Sequence, residues 1–301
     1  MKYKGELARY WEYDNAGNPT RFVSNYGDVA QSGFGGVIVE NRMLGEMYLR
    51  QPYCGNGSYS EGKPDINAGP VDGMIRTESD MAWVKAMIAD GYKFNGVTKV
   101  AKDQLWYGDL IYADANGDGN YGDTNDMNFT GTSTQPRYNF GLNLSVGYKG
   151  FDFYMLWAGS AGFDLYWNHS SYNGTRTENG FGISQRVADN HYFYNPENPS
   201  DSRTNITAKY PRITDQTQRD NGTSSVFWKY KGDYVKLKNI QIGYTIPVKW
   251  TRKFMVEKLR FYFSGENLLT ITSYPGLDPE MGTSITYPLT RQFAFGAQLS
   301  F

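Results

Sequence analysis

The sequence predicts an all-β fold: antiparallel strands that cross a membrane as part of a β-barrel, with long loops and one short helix. Three observations carry this expectation. Tyr138 to Tyr148, "YNFGLNLSVGY", alternates apolar and polar residues without a fault over 11 residues, the period of a strand with two different faces. That length matches the ~9–11 residues a tilted strand needs to cross a bilayer. The polar set of this and later strands is mostly Asn, Gly, Ser and Gln, as in a wet lumen. A soluble β-sandwich also alternates, but its polar face looks outward and favours Lys, Glu and Thr.

Composition agrees with this class. The chain has 301 residues, with 30 Lys+Arg against 31 Asp+Glu and a net charge of -1. No basic field is available, so nucleic acid is excluded as a partner. Aromatic residues make up 16%, and there are 34 Gly, which points to strands and turns rather than a helical bundle. Cys54 is the only cysteine; it excludes an internal disulfide and is expected to be a small buried hydrophobe. The most apolar run, Phe153 to Phe163, has 11 residues and is interrupted by Gly159, Ser160 and Gly162. A spanning helix needs ~20. Mean hydropathy of -0.60 therefore excludes a helical membrane protein but not a barrel, whose strands bury only every second residue in lipid.

In chain order, Tyr3 to Tyr13 and Val37 to Leu49 are expected strands. Thr77 to Gly91 is the expected helix: Thr77 and Asp80 form a capping box, Met81, Val84 and Ile88 give an apolar face, and Gly91 ends it. After Tyr148, Lys149-Gly150 reads as a tight turn, and Phe151 to Trp167 as the return strand. Asn168 to Ser225 reads as a long polar loop. Val235 and Leu237 have the opposite parity to Ile240, Ile242 and Tyr244, so a bulge is expected near Lys238. Pro247 ends that strand. Leu259, Phe261 and Phe263 mark the next, and Ser273 to Thr290 is a longer loop. Phe293, Phe295, Ala297, Leu299 and Phe301 mark the last strand. Tight turns on one side and long loops on the other are the grammar of an outer-membrane barrel.

The strongest chemical motif is "DANGDGNYGDTND", Asp114 to Asp126. Asp114, Asn116 and Asp118 stand at positions 1, 3 and 5 of a cation-binding loop, Gly119 supplies the sharp turn, and the Asn120 carbonyl serves next. Oxygen donors on alternating residues suit a hard cation, Ca²⁺ or Mg²⁺, in a structural role. Position 12 is Asn125 rather than Glu; Asp126 lies one residue late and Asp123 competes with it. An Asx-rich turn without metal is the alternative. His169 and His191 lack metal-spaced partners, and no catalytic triad or carboxylate pair stands out, so no catalytic residue is expected. Trp167, Tyr172, Tyr192 and Trp228 in and beside the long loop could stack on substrate or anchor a partner, or simply pack the loop.

These residues carry a resemblance. "YGDLIYADANGDG", "RYNFGLNLSVGYKGFDFYMLWAG", "YVKLKNIQIGYTIP", "LRFYFSGENLLTIT" and "YPLTRQFAFGAQLSF" occur in that order. The chain resembles the C-terminal part of the SusC/RagA family of TonB-dependent outer-membrane transporters. The resemblance implies the C-terminal strands of a 22-stranded barrel in the outer membrane, its apolar face on outer-membrane lipid. It implies coupling to the TonB complex, a SusD-like lipoprotein at the extracellular mouth, and oligosaccharide or peptide substrates. It assigns the cation loop to Asp114, Asn116 and Asp118 with a further acid near Asp126. It places Asn168–Ser225, the acidic loop and Ser273–Thr290 outside the cell. Without a secretory signal or plug-like segment, residues 1–301 are expected to be one barrel part of a longer parent. The reading from another class is a Ca²⁺-stabilised surface or secreted carbohydrate-binding β protein.

Overall fold

The computed structural model describes residues 9–24, 27–28, 42–43, 45–60, 64–167, 183–213, 221–283, 287 and 289–301. Two compact units emerge: Met1–Ser133 with Trp167–Lys229, and Thr134–Tyr166 with Tyr230–Phe301. In chain order the elements are β1 (Arg9–Tyr13), β2 (Pro19–Ser24), β3 (Gly27–Asp28), β4 (Glu46–Arg50), α1 (Glu78–Ala89), β5 (Lys93–Phe94), β6 (Asn120–Tyr121), β7 (Met127–Ser133), β8 (Tyr138–Tyr148), β9 (Phe151–Ala161), β10 (Asp164–Tyr166), α2 (Gln185–Asp189), β11 (Lys229–Lys231), β12 (Tyr234–Thr245), α3 (Val248–Thr251), β13 (Lys258–Thr272) and β14 (Gln292–Ser300). The two short helices α2 and α3 add to the single helix the sequence predicts.

The first unit is built around α1. The expected capping box is present: the Asp80 amide donates to Thr77 Oγ1 at 3.1 Å, and the Thr77 amide donates to Asp80 Oδ2 at 2.9 Å. These bonds satisfy amides that have no partner within the helix. Gly91, at φ +98, turns the chain out, and the Tyr92 amide returns to the Met87 carbonyl. Met81, Trp83, Val84 and Met87 of α1 are buried and pack on Tyr53, Ile75, Phe94, Leu110 and Tyr121. Ile88 is only half-buried, because Trp83 and Met87 widen the apolar stripe beyond the predicted one. β1, β2 and β3 form one antiparallel ladder, β4 pairs antiparallel with β7, and β5 pairs parallel with β6. The strand expected over Tyr3–Tyr13 is described from Arg9, and the one expected over Val37–Leu49 is described as β4; Val37 to Asn41 lie outside the described residues. Cys54 is exposed rather than buried.

The second unit holds a five-stranded antiparallel sheet in the order β14-β13-β12-β9-β8. Lys149 (φ +46) and Gly150 (φ +89) both take left-handed backbone, which matches the twist of a two-residue hairpin, so Tyr148 pairs with Phe151. The predicted return strand is interrupted: Gly162, at φ +78, breaks it between β9 and β10. The expected bulge is found. Both ladders of β12 shift register between Leu237 and Asn239, and Asn267 (φ +52) absorbs a further step on β13.

Register decides the faces. Leu144, Met155, Ile240 and Gly265 stand in one cross-strand row, and Val146, Phe153, Ile242, Phe263 and Phe295 in the next. The alternate rows carry Asn143, Leu156, Asn239, Glu266 and Gln292, then Ser145, Tyr154, Gln241, Ser264 and Ala294. One face is therefore continuously apolar and open: Leu142 is 58% exposed and Phe295 83%. A water-facing apolar sheet of this extent would drive association, whereas lipid solvates it, as in the wall of an antiparallel transmembrane barrel.

Candidate functional site

The acidic loop follows Leu110–Tyr112, which are buried in the core of the first unit. Its carboxylates fold the loop on itself. Asp114 accepts from the Gly117 amide through Oδ1 at 2.7 Å and from the Gly119 amide through Oδ2 at 2.9 Å. Asn116 Oδ1 accepts from the Asp118 amide, and Asp118 Oδ1 from the Asn120 amide. Gly117 and Gly119, at φ +78 and +80, supply left-handed backbone that side chains rarely adopt.

Asp126 closes the loop. Its Oδ1 accepts from the Ala115 amide at 2.6 Å and the Asn116 amide at 3.3 Å, and its Oδ2 from the Gly122 amide at 2.7 Å and the Asp123 amide at 3.1 Å. It is 1% exposed. Burial pushes its carboxyl up to about 7; the Ala115 and Gly122 amides pull down, and the charges of Asp123 and Asp114 push up. Asp123 instead caps a 3-10 turn, accepting from the Asn125 amide at 2.7 Å. Burial raises it too, against the Asn125 amide and with Asp118 adding to the rise. Asp123 Oδ2 also accepts from the Asn120 side chain at 3.1 Å, but of the two competing acids only Asp126 reaches back to the start of the loop, at Ala115 and Asn116. The donor chemistry suits a hard cation, but the carboxylates are turned to backbone amides. Among the described residues no three His, Cys, Asp or Glu side chains converge on a metal position.

Three of the four predicted loop aromatics are buried rather than presented as surface platforms. Trp167, Tyr192 and Trp228 are 3%, 1% and 0% exposed. Trp228 stacks with Tyr210 at 6.0 Å and lies 6.2 Å from Trp167. The Tyr192 hydroxyl donates to the Arg76 carbonyl at 2.7 Å. These rings bury large apolar area and hold Trp167–Lys229 into the first unit, which the polar composition of Asn168–Ser225 concealed. Tyr172 and His169 lie outside the described residues. His191 rests its Nδ1 on the Ala188 carbonyl at 2.7 Å.

The polar face of the sheet holds features that alternation alone did not reveal. Arg260 Nε donates to Asp152 Oδ1 at 2.9 Å, although their strands β13 and β9 are separated by β12. Beyond the bulge, Lys236 is 1% exposed; its Nζ donates to Asp278 Oδ1 at 2.7 Å and Glu280 Oε2 at 2.9 Å. Residues 273–283 of the predicted loop Ser273–Thr290 are therefore a strap tied to the polar face by ion pairs; 284–286 and 288 lie outside the described residues. Burial raises the Glu280 carboxyl, but hydrogen bonds from Lys238 and Lys236 outweigh it and hold the group below its ordinary range.

Relatives place this arrangement. The chain is 31% identical over 235 residues to TonB-dependent receptor P3 of Formosa agariphila, covering 70% of this chain and 22% of the relative. It is 27% identical over 330 residues to TonB-dependent receptor P39 of the same organism, covering 97% of this chain and 30% of the relative. These relatives are receptors, not enzymes, and the chain spans less than a third of their length. In shape it matches a chain of the RagAB peptide transporter with a TM-score of 0.50 at 20% identity, covering 67% of this chain and 22% of that one. No family model matches. By strand register, lipid-type face and these relatives taken together, the chain is similar to one part of the TonB-dependent receptors.

Proposed function

We propose that the chain forms barrel wall and surface structure of an outer-membrane importer of the SusC/RagA kind. The importer draws oligosaccharides or peptides through the barrel, is driven through the TonB complex, and works with a SusD-like lipoprotein. One observation carries the reading. The sheet has an apolar face fit for lipid and an opposite face of Asn, Ser, Gln and bridged ions fit for a wet passage. The strap of residues 273–283, on that polar side, gives cargo polar groups to meet. The relatedness to TonB-dependent receptors supports an energised route.

The test is uptake by cells whose parent protein lacks residues 134–301. Loss of uptake of a labelled peptide mixture or of a labelled oligosaccharide mixture supports the reading and names the cargo. Unchanged uptake of both overturns it. Affinity purification of the intact parent should bring down a lipoprotein.

The acidic loop is proposed as a structural Ca²⁺ or Mg²⁺ site in this importer. Its all-oxygen donors, Asp114, Asn116, Asp118 and the Asn120 carbonyl, support this, with Asp123 or Asp126 completing the set. Binding requires Asp114 and Asp118 to exchange backbone amides for the ion.

A further inference from the structure

A cavity in the first unit, lined in part by the acidic loop, serves no step of the importer reading. Tyr53, Tyr92 and Tyr121 line a cavity of about 440 Å³ together with Pro52, Ile66 and Asp114. Tyr121 meets Tyr53 at 5.8 Å and 66° and Tyr92 at 6.0 Å and 71°. Tyr121 thus stands steeply to both other rings around one opening. Among the described residues that line it, Asp114 alone carries a formal charge.

The walls are set in advance. Tyr53 stacks on buried Trp83 at 4.8 Å and 26°. Its hydroxyl donates to the Ala68 carbonyl at 2.6 Å and the Ile66 carbonyl at 2.7 Å. Tyr121 leans on Phe94 at 5.4 Å, and Tyr92 rests over Gly119, where a Cβ would lie 3.4 Å from the ring. Such preorganisation reduces the entropy lost on binding. Asp114 accepts one amide bond on each oxygen, and a carboxylate has about four acceptor positions.

Aromatic faces carry negative potential and attract cations, and the attraction grows when the cation is desolvated. The Tyr53 hydroxyl proton is taken by backbone carbonyls, so this wall meets a ligand with its ring rather than with a donor. A cation without N–H donors is well served by ring faces and one counter-ion. We propose that this cavity binds a quaternary alkylammonium group, with Tyr53, Tyr92 and Tyr121 as its walls and Asp114 as its counter-ion. The group belongs either to a free solute or to a lipid headgroup. The assignment does not depend on the importer reading; it holds for the acidic loop without a divalent ion, which would compete for the Asp114 carboxylate, so the titration is run with EDTA present.

The experiment is calorimetric titration of the full chain in a maltoside detergent, which has no cationic headgroup. Choline chloride should bind saturably. Its neutral isostere, 3,3-dimethyl-1-butanol, should bind at least about tenfold more weakly. Tyr92→Leu, at the open side, and Asp114→Asn should each weaken choline about tenfold, while Tyr121→Phe keeps the ring and should stay within about twofold. Near-ultraviolet circular dichroism checks that each variant is folded; if Asp114→Asn is not, Tyr92→Leu and the neutral isostere decide. Tighter binding of glycerophosphocholine than of choline supports the site and names a lipid headgroup as the source. The proposal is overturned if choline does not saturate, if the neutral isostere binds equally well, or if folded Tyr92→Leu binds choline as the parent does.

Discussion

Arg260 and Asp152 form an ion pair across an intervening strand, and Gly243 is the residue that lets them meet. A Cβ at Gly243 would lie 2.5 Å from Arg260 Nη2 and 2.5 Å from Asp152 Oδ1. The missing side chain on β12 is the gap through which β13 and β9 are tied on the polar face. Gly243→Leu should therefore break the pair and cost about 1–3 kcal/mol by overpacking. Gly17→Ala, where nothing lies within 4 Å, is the control for handling, although its φ of +85 adds local strain. Thermal unfolding in detergent checks this; a Gly243→Leu variant as stable as the parent would refute it.

The strap should respond to pH. Glu280 is held below its ordinary value of 4.5 by Lys238 and Lys236, against the upward push of burial. A lowered carboxyl contributes stability above its unfolded pKa and loses it as pH falls through the folded one. The strap should stay docked at neutral pH and loosen below about pH 4.5. Hydrogen exchange of residues 273–283 reads this directly. In Lys236→Met, exchange should be fast at neutral pH as well, because Asp278 loses its partner.

Asp126→Ala should destabilise the first unit by about 1–3 kcal/mol, since it strands buried amides. Asp123→Ala removes a cap and part-buried side-chain bonds from Asn120 and Asn125 but strands no such set of backbone amides, and should cost about 1 kcal/mol. Denaturant unfolding followed by Trp fluorescence separates the two. Equal costs would show that Asp126 does not close the loop.

Calcium should raise the unfolding temperature of the chain, and EDTA should reverse the rise. A bound ion stabilises by mass action, about 2.7 kcal/mol at a hundredfold excess over its dissociation constant. Asp114→Asn with Asp118→Asn should abolish the response. No response in the parent would leave the loop closed by its amides alone.

The two faces should differ in their tolerance of charge. Leu142→Lys, on the apolar face, should cost about 2–4 kcal/mol if it sits near the bilayer midplane. Asn143→Lys, on the polar face, should cost far less. Unfolding from lipid vesicles measures both, and equal costs would sink the assignment of faces.

The sequence by itself determined the faces of the strands, the Lys149-Gly150 turn, the bulge at Lys238 and the capped helix. Each is a local property: period two, two residues able to take left-handed backbone, a parity change, a Thr and an Asp three residues apart. It also placed the acidic loop, whose Asx turns need only neighbours. Tertiary structure alone decided that Asp126 rather than Asp123 reaches back to Ala115, because one residue of extra length changes which carboxylate faces inward. It alone decided that Trp167, Tyr192 and Trp228 are core: a ring's burial depends on what distant segments cover it, and composition carries no record of that. Lys236 with Asp278 and Arg260 with Asp152 lie 42 and 108 residues apart. Charges of opposite sign at such separations are common in any chain, and only the register of the folded sheet selects which of them meet.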